Sequence, residues 1–226
     1  MVSFLTGVGF IIALCFFFLA LLCRIIWYFR GLDWRLDRVG YKPNLGQGVK
    51  GGAHSIFKWL VPFATLGWRR DPLLCLLTFL LHLGVVVAPL FLVGHAVILY
   101  HNFGVNLPTL PMWLTDILTI LGLISLVLLA VRRIFIPRVR VLTTFGDWFA
   151  LILVALPMAS GFVAAHAGPE AEGAYIAHLV TGILFLLVAP FSKLSHIVLY
   201  FLSRLQIGMD FAIKRGGRKR GAFFPW

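Results

Sequence analysis

Ala174-Tyr-Ile-Ala-His178-Leu-Val-Thr-Gly-Ile-Leu-Phe-Leu-Leu-Val-Ala-Pro190-Phe-Ser-Lys-Leu-Ser-His196 is almost wholly apolar, yet it carries a histidine near each end. The two histidines stand eighteen residues apart. That is a whole number of turns at about 3.6 residues each, so on one continuous helix both imidazoles project from the same face. The rise between them is about 27 Å, close to the roughly 30 Å hydrocarbon core of a bilayer. Read as one helix, the stretch crosses a membrane and offers a nitrogen ligand near each side.

The rest of the chain belongs in the same setting. Of its 226 residues 61% are hydrophobic, well above the usage of a soluble domain. Five segments are long enough to span: about 3–28, 73–100, 113–131, 148–165 and 174–201. The expected fold class is therefore an all-α membrane protein, a five-helix bundle forming a single membrane domain. The first segment lacks the basic start and small-residue cleavage site of a signal peptide, and reads as a retained anchor.

Charge sets the expected orientation. The twenty Lys and Arg fall in three blocks: nine from Arg24 to Arg70, four from Arg132 to Arg140 and seven from Lys193 to Arg220. The connections 101–112 and 166–173 hold none, and the second carries Glu170 and Glu172. Basic loops stay on the cytoplasmic side, which predicts an N-terminus outside and a C-terminus inside. The net charge of +12 is accounted for by these juxtamembrane loops. With no recognition motif among them, no nucleic-acid partner is expected.

Cys15, Cys23 and Cys75 lie in apolar runs without paired spacing, and no Cys-x-x-Cys-His occurs. They read as small hydrophobes, and covalent haem attachment is excluded. The histidines are more informative. His82 and His95 lie on the second span, one in its inner and one in its outer half; the fifth span runs the other way, with His178 outer and His196 inner. Matching depth pairs His82 with His196 and His95 with His178, two bis-histidine sites suited to two noncovalent haem b groups. Helix two contributes about 20 Å between its ligands and helix five about 27 Å, putting the irons roughly 23 Å apart. One difficulty is phase: thirteen residues on an ideal helix turn a side chain about 140° away from its start. Pro89, between His82 and His95, is expected to kink or rewind the helix and correct this. His101 is the reserve ligand on the outer side.

Gly84, Gly94 and Gly182 remove bulk near three of the histidines, as a flat macrocycle requires, although small residues also serve plain helix packing. Ser192 and Ser195 can bond backbone or tune a ligand. Arg132, Arg133, Arg138, Arg140 and Lys193 lie where propionates of an inner haem would emerge, most of them serving as topology determinants.

His178-Leu-Val-x-Gly-x-x-x-Phe-Leu-Leu-x-x-Pro-Phe-Ser-Lys-Leu-x-His196 resembles the last helix of the respiratory nitrate reductase gamma subunit family. Arg132-Arg-Ile-Phe-Ile-Pro-Arg-Val-Arg140 with Thr143-Thr144, and Val93-Gly94-His95, resemble its third loop and second helix. The likeness covers about residues 72–205. It implies a five-helix cytochrome b with an inner haem on His82 and His196 and an outer haem on His95 and His178. That family has a shorter gap between its helix-two histidines and uses a lysine near the outer haem in quinol oxidation. Here no lysine lies between Lys58 and Lys193, so that quinol site does not carry over. The longer gap, Pro89 and Leu107-Pro-Thr-Leu-Pro-Met-Trp113 look more like the membrane cytochromes b of sulfate-reducer transmembrane redox complexes, among them the high-molecular-weight cytochrome c complex. That resemblance implies a multi-pass protein of the bacterial cytoplasmic (inner) membrane with a periplasmic N-terminus and a cytoplasmic C-terminus, and a periplasmic multihaem cytochrome c, a cytoplasmic iron–sulfur protein and other membrane subunits as partners.

Residues 30–71 form a long inner connection whose Ala53-His-Ser-Ile-Phe-Lys-Trp-Leu-Val-Pro-Phe63 reads as an interfacial helix, a docking platform or a surface anchor. His54 is expected at the interface and His166 in a solvated outer loop. The tail Lys214–Arg220 reads as a topology anchor, with Phe223–Trp226 free to pack on a partner. No internal repeat stands out. Two function classes follow: a dihaem electron conduit, in which a menaquinone exchange with the haems is the alternative to partner-fed electrons, and a haem-free membrane scaffold. No nucleophile–base pair or carboxylate dyad suggests catalysis by the chain itself.

Overall fold

The computed structural model describes residues 1–32, 45–168 and 171–214. Residues 33–44 of the 30–71 connection, the tail beyond residue 214 with Phe223–Trp226, and Pro169 and Glu170 of the 166–173 connection lie outside the described residues. Among the described residues there is no strand, and five helices are long and apolar enough to cross a membrane. They are α1 (Val2–Arg30), α4 (Pro72–Phe91), α6 (Met112–Phe135), α8 (Phe145–His166) and a fifth over Glu172–Phe191. Between the first two come α2 (Leu45–Leu60) and α3 (Leu66–Arg70). The others are α5 (Val93–Phe103), α7 (Pro137–Arg140), α9 (Glu172–Val188, the regular part of the fifth span) and α10 (His196–Lys214).

Two expected helices are interrupted, and the interruptions decide where the histidines go. The second span is regular only to His82; Leu83–Val87 is wound as a π-helix, and Leu92 is extended before α5 begins. The turn is thus rewound before Pro89 and broken after it, a larger disturbance than a proline kink alone. The fifth span differs more. It does not run as one helix from 174 to 201: α9 ends at Val188, Ala189–Phe191 and Lys193–Ser195 are 3-10 turns, Ser192 is extended, and α10 starts anew at His196. Pro190 has no N–H for the ladder and crowds the preceding turn. Ser192 stabilises the break, donating its hydroxyl to the Ala189 carbonyl (3.0 Å) and accepting the Leu194 N–H (3.1 Å). The eighteen-residue spacing of His178 and His196 therefore does not place them on one helix face.

Contacts gather into two compact units, residues 1–20 with 76–194, and residues 21–75 with 195–226. In the first, Leu126, Val154 and Met158 form a buried centre, with Leu81, Val85, Leu123 and Phe185 packed against it. Gly84 makes this possible. A Cβ there would stand 2.7 Å from the Leu118 carbonyl oxygen and 2.9 Å from the Gly122 Cα, so α6 passes tight against the π-wound turn. Gly84 thus serves close helix packing, the plainer of its two readings. Asp147 joins the capping box of α8 with Thr144 and ion-pairs with Lys193 (2.7 Å) and Arg133 (3.3 Å). Two of the five basic residues considered for propionates are therefore engaged by a carboxylate.

In the second unit, α2 packs on α10 across small residues. Gly48, Gly51, Gly52 and Ser55 are buried on α2, and Gly208 and Ala212 face them from α10. Helix α2 begins eight residues before the interfacial stretch read from the sequence. Tyr28 donates its hydroxyl to the Gln206 side-chain carbonyl, tying the end of α1 to α10.

Candidate functional site

Within the first unit the two interrupted helices bring His95 and His178 together. Their ring centres are 5.8 Å apart and their planes lie within 7° of parallel. His101 sits exposed in the last turns of α5, so His95 is the helix-two histidine that meets His178.

Each imidazole is held by a proline carbonyl. His95 donates its Nδ1–H to Pro89 O at 2.8 Å, and His178 donates its Nδ1–H to Pro157 O at 3.1 Å. A carbonyl oxygen only accepts, so Nδ1 must carry the proton in both rings. In a neutral imidazole this leaves Nε2 as the lone-pair nitrogen, the tautomer a metal-ligating histidine adopts when backbone orients it. The extended Leu92 breaks the helical ladder just after Pro89, where the His95 ring then docks. His178 lies against α8 because position 161 is glycine. A Cβ on Gly161 would stand 2.8 Å from His178 Cε1 and 2.9 Å from its Nδ1. Ser160 and Thr181 hydroxyls meet at 2.9 Å and lock α8 to α9 one turn from the imidazole. Neither Gly161 nor Pro157 stood out in the sequence; a glycine four residues after a proline in an apolar helix was the available signal.

Gly161→Ala is accordingly expected to push the His178 ring off its place while leaving the backbone helical. Ligand binding at this pair should fall steeply, and binding at a site not involving His178 should not; titration of the purified variant with the ligand checks this.

The other predicted residues sort differently. His82 is exposed at the end of the regular part of α4 and donates Nδ1–H to Thr78 O at 2.7 Å, the same tautomer. His196 is the first residue of α10, in the second unit. His166 ends α8 within the helix rather than in a loop, and its Nε2 lies 3.3 Å from Asp116 of α6. Both are substantially exposed, so the pair adds little stability. At Gly94 and Gly182 a Cβ would meet no protein atom within 4 Å, which leaves room beside both histidines of the pair.

A protein of Nitratidesulfovibrio vulgaris (strain Hildenborough) is 55% identical over 227 aligned positions spanning the whole of both chains. This chain belongs to that protein's family. No family model matches it.

What the pair can do follows from its ligand count. Nitrogen–metal bonds of about 2.0–2.1 Å on either side of one atom set two imidazole centres roughly 6 Å apart, and the observed separation is 5.8 Å. Among the described residues no group of three or more His, Cys, Asp or Glu side chains gathers. A bare ion such as zinc requires three or four protein ligands. A haem requires only two axial ones, since its own nitrogens supply the rest. The residues present fit that group.

Proposed function

We propose that this chain is the dihaem b-type cytochrome subunit of an anaerobic respiratory complex. In this reading it carries electrons across the cytoplasmic membrane between a periplasmic multihaem cytochrome c and a cytoplasmic iron–sulfur subunit. The observation that carries the proposal is the parallel His95–His178 pair, each ring bonded through Nδ1 to a proline carbonyl and so presenting Nε2. When bound, haem supplies a reversible one-electron couple that no side chain of this protein can offer. The chain's own part would be to offer Nε2 of His95 and His178, whose tautomer the Pro89 and Pro157 carbonyls fix.

His95 and His178 are the outer pair in this reading, and His82 and His196 the inner one. The Nδ1–H of His82 is already committed to Thr78 O, which favours Nε2 as its ligating atom. The orientation proposed, N-terminus outside and C-terminus inside, rests on the three basic blocks and the two connections that lack Lys and Arg. The basic end of α6, with Arg132 and Arg133, and the α7 turn, with Arg138 and Arg140, then face the iron–sulfur partner, and the Asp116–His166 end faces the periplasm.

The deciding experiment is a reduced-minus-oxidised spectrum with a haem-to-protein ratio on the purified full chain. A b-type spectrum with two haems per chain is expected. Protein made with excess haem that nevertheless shows no b-type band would leave only the haem-free scaffold.

A further inference from the structure

Where α9 stops at Val188, the chain that follows and the first turns of α8 enclose an open cavity of about 480 Å³ within the first unit. Helix α8 contributes Phe145, Gly146 and Phe149, and the broken end of the fifth span contributes Val188, Phe191, Ser192 and Lys193. The rings of Phe145 and Phe149 stack at 6.1 Å between centres, and the Phe16 ring of α1 lies 5.9 Å from that of Phe191. Of the residues lining the cavity, Lys193 alone is charged. Its stem passes over Gly146, where a Cβ would stand 3.3 Å from Lys193 Cε. Its ammonium donates to Asp147 at 2.7 Å and to the Thr144 hydroxyl at 3.0 Å.

This corner is net positive, because the single carboxylate of Asp147 faces both Lys193 and Arg133. Exposure decides which charge a ligand meets. The Asp147 side chain is 13% exposed and that of Lys193 51%, so the cation is the accessible member. The cavity stands where the third span ends at Phe135, the fourth begins at Phe145 and the fifth ends at Phe191, the level of lipid headgroups. From it an apolar stripe runs toward mid-membrane. Phe145, Phe149, Ile152 and Leu156 are exposed on one face of α8, about 16 Å from first to last, and Leu184 is exposed one turn before Val188. A soluble anion would answer the ammonium and leave the aromatic walls and the stripe bare. An amphiphile with an anionic head and a hydrocarbon tail answers both, the ammonium acting as a point charge on its phosphate.

We propose that this cavity binds an anionic membrane phospholipid, with its phosphate on the Lys193 ammonium and an acyl chain along Phe149, Ile152 and Leu156. The site does not depend on haem. Its function is to cover the break in the fifth span with a resident lipid.

The full chain in detergent is offered equal amounts of phosphatidylglycerol and phosphatidylcholine, and bound lipid is counted by native mass spectrometry. Preferential retention of phosphatidylglycerol is expected, and equal retention of the two would overturn the proposal. Lys193→Gln should weaken the preferred binding about tenfold, the scale of a hydrogen bond to a charged group. Val188→Trp fills the cavity without removing a member of the Lys193–Asp147–Arg133 cluster, and should bring phosphatidylglycerol down to the level of phosphatidylcholine. If Lys193→Gln fails to fold, Val188→Trp decides. Two controls should match the native chain: Arg140→Gln, which removes a charge from the neighbouring turn, and Val131→Trp, which adds the same bulk at an exposed position of α6 outside the cavity. Equal losses in Lys193→Gln and Arg140→Gln would mean diffuse charge attraction, and undiminished retention in Val188→Trp would place the lipid elsewhere; either overturns the site. Release of the lipid by millimolar inorganic phosphate would assign the cation to a soluble oxyanion and overturn the lipid assignment.

Discussion

The His178→Ala protein is expected to hold about half the haem of the native chain, and the His196→Ala protein the other half. The first expectation follows from the pair. Removing His178 leaves His95 facing an empty place, and among the described residues no third ligand gathers there. A macrocycle held by one axial nitrogen loses both a bond and the wall that excludes water, so occupancy at that site should collapse. His196 is far along the chain, beyond the break at Pro190–Ser192, and begins a new helix. Its loss should leave the His95–His178 pair undisturbed. Haem-to-protein ratio and the reduced spectrum of each variant check this, since the haem remaining in one should be the haem missing from the other. Two haems retained in both variants would end the ligand assignment. Gly161→Ala should reproduce the His178→Ala spectrum with the imidazole still present, which separates loss of a ligand from loss of its position.

Much of this was legible in the residues, and the failures have a common cause. Spans are a matter of length and apolarity, so the number of spans and the starts of all five agree within a few residues, while the second and fifth end at Phe91 and Phe191, nine and ten residues before the expected 100 and 201. That His95 and His178 meet was also readable, because depth depends only on rise along the helix. Facing is different. It depends on phase, and one extended residue resets it. At Leu92 and Ser192 the backbone leaves the helix, and neither residue type announces this. The disturbance expected at Pro89 is present, but the π-wound turn at Leu83–Val87 comes before it, where Gly84 packs tight against α6. In the fifth span the apolar pattern runs through Pro190 without interruption, but the helix does not. With Ser192 able to bond both sides of a break, ending the helix there is the cheaper solution. The α2–α10 pairing was missed for a further reason. Gly48, Gly51 and Gly52 sit in a stretch that reads as weakly helical from composition, and only their shared face, against Gly208, reveals a packing seam.

That seam yields the second large effect. Gly208→Ala is expected to destabilise the second unit by about 2–3 kcal/mol, the range for forcing bulk into a packed contact. Whether a neighbour can yield decides the cost. A Cβ on Gly208 would stand 2.6 Å from the Cα of Gly52 and 2.8 Å from the backbone carbon of Gly51. Both are backbone atoms, so no rotamer change relieves the clash. The helices must separate, and separation undoes more than one contact, because the seam is equally tight at Gly51, where an added Cβ would stand 2.5 Å from Ala212 Cβ. The Arg204–Trp59 stack spans the same two helices and should loosen with it. Gly94→Ala is the matched control: it adds the same methyl group where no protein atom lies within 4 Å, and Ala is the better helix former there. Limited proteolysis of the full chain in detergent separates the two outcomes. In Gly208→Ala, cleavage between residues 45 and 70 should accelerate well beyond native, by about thirtyfold or more if cleavage follows the opening equilibrium. Gly94→Ala should leave that rate unchanged. Equal rates in Gly208→Ala and native protein would mean that α2 and α10 do not meet through this glycine seam.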